Sequence, residues 1–124
     1  MIGEIRKALT PFYDAQKGKM AYKSRPALVI AMADSSDYIV LPVSTISRPA
    51  DRHPLYDVEI DLTVYPLLNL DKPSFVRTHK QTVIYASQMG DMIGNMRVNY
   101  EELYLSILEK REAFSAQIST QAIG

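Results

Sequence analysis

The stretch that decides the fold is residues 27–43, ALVIAMADSSDYIVLPV, in which two largely apolar runs flank four polar residues. The first run covers residues 27–33 and the second covers residues 38–43, with Asp34-Ser35-Ser36-Asp37 between them. Two apolar runs of strand length around a break of turn-forming residues are typical of a β-hairpin in a protein core. The sequence therefore predicts a buried hairpin over residues 27–43.

Further strands are predicted on both sides of this hairpin. Residues Ile2–Leu9 have the composition of a short strand, and Thr10–Ser24 is predicted to be a long polar loop. Ser74–Tyr85 is rich in Val, Thr, Phe and Tyr, which favour pleated surfaces, and is predicted to form one strand. Short strands separated by turn residues favour a small β-barrel over a parallel sheet.

Residues 56–61 alternate between apolar and acidic side chains. A period of two is typical of a strand with one buried and one wet face, so the three carboxylates are predicted to be solvated. They are Asp57, Glu59 and Asp61. Spacings of ~6.5–7 Å along one face also separate neighbouring carboxylates too widely to share an ion without help from another element.

The end of the chain is predicted to be helical. Asn99 followed by Glu102 resembles a capping box, and apolar residues then recur on one helical stripe. We expect an amphipathic helix over about residues 99–114 and a frayed tail over residues 115–124. Because there is no repeat, low-complexity tract or linker, residues 1–124 are predicted to be a single domain, mainly β with a C-terminal helix.

Composition excludes some kinds of site but does not identify a function. The 124 residues contain no cysteine, which excludes disulfides and thiolate metal sites, and they carry 14 basic and 14 acidic side chains. The charge is uneven, since residues 1–56 hold eight Lys or Arg against five Asp or Glu, and residues 72–82 hold three basic residues and no acid. We expect no signal peptide and no membrane segment, and therefore a soluble cytoplasmic protein.

Several kinds of catalytic site are not supported. His53 and His79 lie far apart in sequence and no residues have metal-ligand spacing, so no metal and no cofactor is expected. Glycine-rich phosphate loops and a GxSxG motif are also missing. What remains is a set of arginines, hydroxyls and one histidine on predicted strands.

Three short segments carry these groups. Ser24-Arg25-Pro26 opens the predicted hairpin, and Ser44-Thr45 closes it. Arg77 and His79 are two residues apart, which would place them on one face of a strand, ~6.5–7 Å apart. Singly, a strand arginine is usually a surface charge and a lone histidine is usually structural. The residues alone therefore indicate a basic β-barrel and no more.

The same segments resemble the MazF/PemK/Kid family of toxins, in family order over about residues 3–96. The matching motifs are Gly3-Glu4-Ile5, Arg25-Pro26-Ala27-Leu28-Val29-Ile30, Leu41-Pro42-Val43-Ser44-Thr45, Tyr56-Asp57-Val58-Glu59-Ile60, Val76-Arg77-Thr78 and Ile93-Gly94-Asn95-Met96. The resemblance implies an SH3-like barrel, a symmetric homodimer, a cognate antitoxin and metal-independent, sequence-selective cleavage of single-stranded RNA. One departure is His79, where relatives of the Kid type have aspartate.

The resemblance also implies roles for individual residues. The catalytic residues would be Arg25, Ser44, Thr45, Arg77 and His79. Arginines suit bidentate phosphate binding, hydroxyls can orient the phosphate, and an imidazole can move a proton near neutral pH. The RNA-binding residues would be Lys23, Ser24, Ser47, Thr78 and Lys80, and Tyr13 and Tyr22 could stack on unpaired bases.

Two other functions remain open on the sequence. One is a catalytically silent relative that binds RNA or protein, since a fold alone does not assign activity. The other is a toxin with a protein target, because gyrase poisons of the CcdB kind resemble this fold. The motif-level matches at Arg25, Ser44 and Arg77 argue against the second.

Overall fold

A computed structural model describes residues 1–124 as seven strands followed by two helices. The strands are β1 (Glu4–Asp14), β2 (Lys19–Met32), β3 (Asp37–Ser44), β4 (Asp57–Ile60), β5 (Ser74–Arg77), β6 (Thr82–Tyr85) and β7 (Met89–Asn95). The helices are α1 (Met96–Asn99) and α2 (Glu101–Ile123). All strand pairs are antiparallel in the order β4-β5-β3-β2-β1-β7, with β6 beside β3. The predicted fold class, mainly β with a C-terminal helix, is confirmed.

The hairpin predicted over residues 27–43 is present as β2 and β3. Leu28 lies opposite Leu41 and Val29 opposite Val40, and all four side chains are buried. The Asp34 carboxylate accepts hydrogen bonds from the backbone N–H groups of the next polar residues at 2.9 and 3.1 Å. The turn between the strands is therefore held by the polar residues that interrupt the apolar runs.

Successive residues of this hairpin contribute to two hydrophobic clusters, because side chains alternate across a sheet. The larger cluster joins Leu28 and Leu41 to Ile5 of β1 and to Tyr104 and Ile107 of α2. The smaller cluster lies on the other face and contains Ala8, Ala27, Val29, Val40 and Ile84. Helix α2 thus covers one face of the sheet.

The prediction of a polar loop over Thr10–Ser24 is wrong. These residues extend β1 and β2 into a long hairpin arm, in which Pro11 pairs with Tyr22 and Tyr13 pairs with Met20. The arm turns at Gly18, whose φ of +64° is readily adopted only by residues such as glycine. Most side chains of the arm are exposed, so its sequence shows no alternation of apolar and polar residues. Its strands are recognised only from their backbone pairing.

The single strand predicted over Ser74–Tyr85 is also wrong, because a turn at residues 78–81 divides it into β5 and β6. Both strands pair with the same edge of β3, β5 at Val43 and Ser44 and β6 at residues 37–40. The turn lets one stretch of chain leave that edge and return to it further along.

Helix α2 continues nine residues beyond the predicted end at residue 114, so residues 115–123 are helical and not frayed. Two contacts help to explain this length: the Phe114 ring packs edge-on against Tyr56 at 5.0 Å, and the Tyr56 hydroxyl donates to Gln117 at 2.8 Å. Neither helix has an apolar stretch that would allow it to cross a lipid bilayer.

Candidate functional site

A cleft lies near the point where β2 begins to pair with the end of β3. The register that pairs Ala27 with Pro42 brings Arg25 close to Ser44 two residues further along, and both residues line this cleft. It has two lobes of about 560 and 300 Å³, which share Arg25 and Pro26. We call it the Arg25 cleft.

The lining of the Arg25 cleft is strongly basic. Four cationic side chains and one carboxylate contribute to it, together with hydroxyl groups from the end of β3. The charged residues are Lys7, Lys23, Arg25, Lys72 and Asp71. A neutral protein therefore concentrates positive charge in two adjoining hollows around Arg25, which meets the electrostatic requirement for binding a polyanion.

Arg25 is the cation most available for a ligand. It lies on β2 opposite Ala8, it is exposed, and its guanidinium makes no ion pair or hydrogen bond within the protein. The adjacent Pro26 fixes the extended backbone and lacks an N–H. A rigid strand thus presents an unpaired planar cation, which suits bidentate contact with phosphate.

The structure brings about half of the predicted site residues together. Lys23, Ser24, Arg25, Ser44 and Thr45 all line the Arg25 cleft. The remaining residues, which are Ser47, Arg77, Thr78, His79 and Lys80, do not line it.

Two of the remaining residues lie on other parts of the surface. Ser47 lines a small separate hollow beside Arg52, whose guanidinium lies 4.8 Å from the centre of the Phe75 ring. Lys80 is exposed in the turn after β5.

Arg77 is held by a buried carboxylate. Its Nε donates to Oδ1 of Asp57 at 3.1 Å, and Nη2 lies 3.4 Å from Oδ2. The Asp57 side chain is completely buried, so the prediction that it belongs to a solvated face is wrong. The acidic alternation of residues 56–61 did not distinguish a buried carboxylate paired with an arginine from a carboxylate in water.

Thr78 is 1% exposed, and its hydroxyl donates to the backbone carbonyl of Tyr56 at 2.6 Å. The hydroxyl predicted to contact RNA is thus enclosed and already bonded within the protein. Its role is to tie the end of β5 to the segment that enters β4.

His79 lies away from the Arg25 cleft, and its side chain is 8% exposed. Its ring packs against His53 and faces the edge of Phe114, with centroids at 4.8 and 6.1 Å. Nδ1 is buried without a hydrogen bond, 3.7 Å from Oδ1 of Asp57. Burial lowers the pKa of His79 below 6.5, opposed by the Asp57 charge and assisted by that of Arg77. The neutral imidazole is therefore favoured at pH 7.

No protein-family model matches the sequence, and no curated protein is significantly similar to it. Among solved structures, the Mycobacterium tuberculosis toxin MazF-mt6 is similar, with a TM-score of 0.63 and 18% sequence identity. The match covers 91% of this chain and 96% of that one. The chain has the MazF toxin fold. The resemblance inferred from the motifs is therefore confirmed at the level of the fold.

Within this MazF fold, sequence reasoning missed part of the cleft. Lys7, Asn69, Asp71 and Lys72 line it but were not predicted as site residues. Lys72 could have been found, since it begins the acid-free basic segment 72–82. The others come from β1 and from the connection between β4 and β5, and no local pattern marks them.

Proposed function

We propose that this chain is the toxin of a type II toxin–antitoxin system and an endoribonuclease that cuts single-stranded RNA without a metal ion. The observation that carries the proposal is the unpaired Arg25 guanidinium beside Ser44 and Thr45, in a basic cleft of a protein with the MazF toxin fold. The site of action would be the cytoplasm, where RNA is translated.

The proposed chemistry is an intramolecular transesterification. The ribose 2'-oxygen bonds to the adjacent phosphorus while the bond to the 5'-oxygen breaks, which leaves a 2',3'-cyclic phosphate and a 5'-hydroxyl. Arg25 stabilises the charge that grows on the phosphoryl oxygens, and Ser44 or Thr45 donates a hydrogen bond that orients the phosphate. All three residues share one lobe of the cleft.

The reaction also needs a group that accepts the 2'-hydroxyl proton and a group that protonates the leaving oxygen. His79 was the predicted candidate, but it lies outside the cleft. Asp71 is the carboxylate that lines the cleft with Arg25, so we assign the base to Asp71. Lys23 and Lys72 are the ammonium groups in the same lobe as Ser44 and are candidates for the acid.

The hairpin arm supplies a surface for the bases that flank the cut. Tyr13 and Tyr22 are 63% and 64% exposed, and the register of β1 and β2 places their side chains on the same face. That face also carries Lys7 and Ser24, which line the larger lobe of the cleft, whereas Arg25 pairs with Ala8 on the alternate face. Stacking on exposed tyrosines is a sequence-tolerant way to hold unpaired bases.

The direct test is incubation of the purified protein with a mixed RNA pool in EDTA, followed by mapping of the product ends. Cyclic phosphate and 5'-hydroxyl ends are expected, and Arg25→Gln should reduce cleavage by about 100-fold or more. Arg97→Gln is the matched control, because Arg97 is exposed and lies outside the cleft. RNA binding without cleavage would favour a silent regulator, and inhibited DNA supercoiling with intact RNA would favour a protein target.

The proposal includes two protein partners, a second copy of the chain and an acidic antitoxin segment. An acidic, partly disordered segment would complement the four cations of the Arg25 cleft and exclude RNA from it. Its binding should weaken as the salt concentration rises, and a monodisperse monomer at micromolar concentration would contradict the homodimer.

A further inference from the structure

We propose that Asp57 and Arg77 are positioning residues, which fix the segment 45–56 between β3 and β4 beside the Arg25 cleft. Arg77 then affects RNA cleavage only through this segment and does not contact a phosphate. The inference rests on the proposed function, since it assigns this loop a part in holding the RNA.

The buried carboxylate of Asp57 bonds both to the loop and to β5. Oδ2 of Asp57 accepts the backbone N–H of His53 at 2.7 Å, and Oδ1 accepts Nε of Arg77 at 3.1 Å. Nη2 of Arg77 in turn reaches the carbonyl oxygen of Asp51 at 3.4 Å. One ion pair thus holds the loop at two points of its backbone.

Neighbouring contacts fix the rest of the same half of the loop. Nδ1 of His53 accepts the N–H groups of Leu55 and Tyr56 at 3.1 and 3.3 Å. The carbonyl of Leu55 accepts Nζ of Lys110 from α2 at 3.0 Å. Residues 51–57 are therefore anchored to β5 through Asp57 and Arg77, and to α2 through Lys110.

The other half of the loop leads directly into the cleft. It begins at Thr45, which lines the cleft with Ser44, and it includes the exposed Arg48. Arg52 lies over Phe75, the residue that pairs with Ser44 across β3 and β5. Anchoring residues 51–57 therefore limits where Thr45 and the loop cations can lie, and pre-ordering a loop reduces the entropy lost when it binds a ligand.

The same geometry opposes a direct phosphate contact by Arg77. Its side chain is 24% exposed, and two of its three nitrogens are already engaged. Turning the guanidinium toward RNA would leave the Asp57 carboxylate, which has no exposed surface, without its cation. An uncompensated buried charge is strongly unfavourable, whereas Arg25 can bind phosphate without breaking any contact.

The test compares Arg77→Lys, Asp57→Asn and Arg25→Gln in the full chain. Amide hydrogen exchange is measured over residues 45–57, and cleavage of a single-stranded RNA is measured for KM and for the rate at saturation. We expect Arg77→Lys and Asp57→Asn to speed exchange at residues 51–57 and to raise KM by about 10-fold, with a change in kcat below about 3-fold. Arg25→Gln should lower kcat by about 100-fold with exchange unchanged.

Arg77→Lys leaves the Asp57 carboxylate in place and retains a cation near it. This variant therefore remains informative if Asp57→Asn fails to fold. Equal loss of kcat in Arg77→Lys and Arg25→Gln, with exchange unchanged, would show that Arg77 contacts phosphate and would overturn the inference. Faster exchange with an unchanged KM would also overturn it, since the loop would then have no part in RNA binding. If the wild-type chain cleaves no RNA, the proposed function fails, and the affinity of uncleaved RNA for the same variants still tests the loop.

Discussion

Replacing Arg77 by alanine removes the cation from a carboxylate that has no exposed surface. Breaking a buried ion pair from one side costs about 3–5 kcal/mol. Here the cost is reduced to about 2–4 kcal/mol, because the Arg77 side chain is 24% exposed and the His53 N–H still donates to Asp57 at 2.7 Å. For a chain of 124 residues this corresponds to a fall in Tm of roughly 10 °C.

The stability lost in Arg77→Ala should also depend on pH, because His79 lies beside Asp57. In the wild type, burial lowers the pKa of His79, with Arg77 adding to the shift. Without Arg77, the uncompensated Asp57 charge lies 3.7 Å from Nδ1 and should raise that pKa, so that a protonated His79 replaces the missing cation. A group whose folded pKa is raised stabilises at low pH and loses its contribution as pH rises through that pKa.

The assay is urea or thermal unfolding of wild type, Arg77→Ala and Arg25→Ala at pH 5.5 and pH 8. We expect the deficit of Arg77→Ala to be larger at pH 8 than at pH 5.5, and Arg25→Ala to lie within about 0.5 kcal/mol of wild type at both. An Arg77→Ala variant as stable as wild type at pH 8 would refute the reasoning. The resemblance to the toxin family implied instead that Arg25 and Arg77 have the same role, as catalytic residues that bind phosphate.

Three further predictions follow from other contacts. Arg25→Ala should abolish growth inhibition while retaining the wild-type Tm, because the side chain is exposed and unpaired; a fully toxic variant would remove Arg25 from the site. The depressed pKa of His79 means that the unfolded chain binds its proton first, so wild-type stability should fall as pH drops below about 6.5. His79→Gln should reduce this loss of stability at low pH in a stability–pH curve. If the loss is unchanged in the variant, other titrating groups cause it. Gly94→Ala should destabilise by about 2 kcal/mol or more in urea unfolding, since a Cβ there would lie 2.8 Å from Cα of Leu68, and a neutral effect would mean that this backbone can move apart.

Local sequence patterns were sufficient to predict the elements whose buried residues form a recognisable apolar pattern. The hairpin over residues 27–43 was predictable because both of its strands are apolar and its turn is polar. Arg25 and Ser44 were predictable as neighbours, since they lie at the open end of that hairpin, where register alone brings them close. The apolar stripe that follows residue 100 was sufficient to predict a C-terminal helix, but the capping box predicted at Asn99 is wrong: Asn99 ends α1, and Tyr100 precedes α2 without a side-chain capping hydrogen bond.

Tertiary structure decided the features that depend on distant partners. Asp57 has the sequence context of a solvated carboxylate and is buried because Arg77 and the backbone of His53 satisfy it. His53 and His79 lie 26 positions apart, yet their rings pack at 4.8 Å because the loop and the turn after β5 fold under α2. An isolated strand specifies which side chains alternate, whereas the free energy of burying a charge is set by the groups that the rest of the chain places around it. For that reason the sequence by itself determined the hairpin and the position of Arg25 and Ser44 at its open end, and only the folded chain decided which other cations surround them, which arginine is free for a ligand and which is held by a carboxylate.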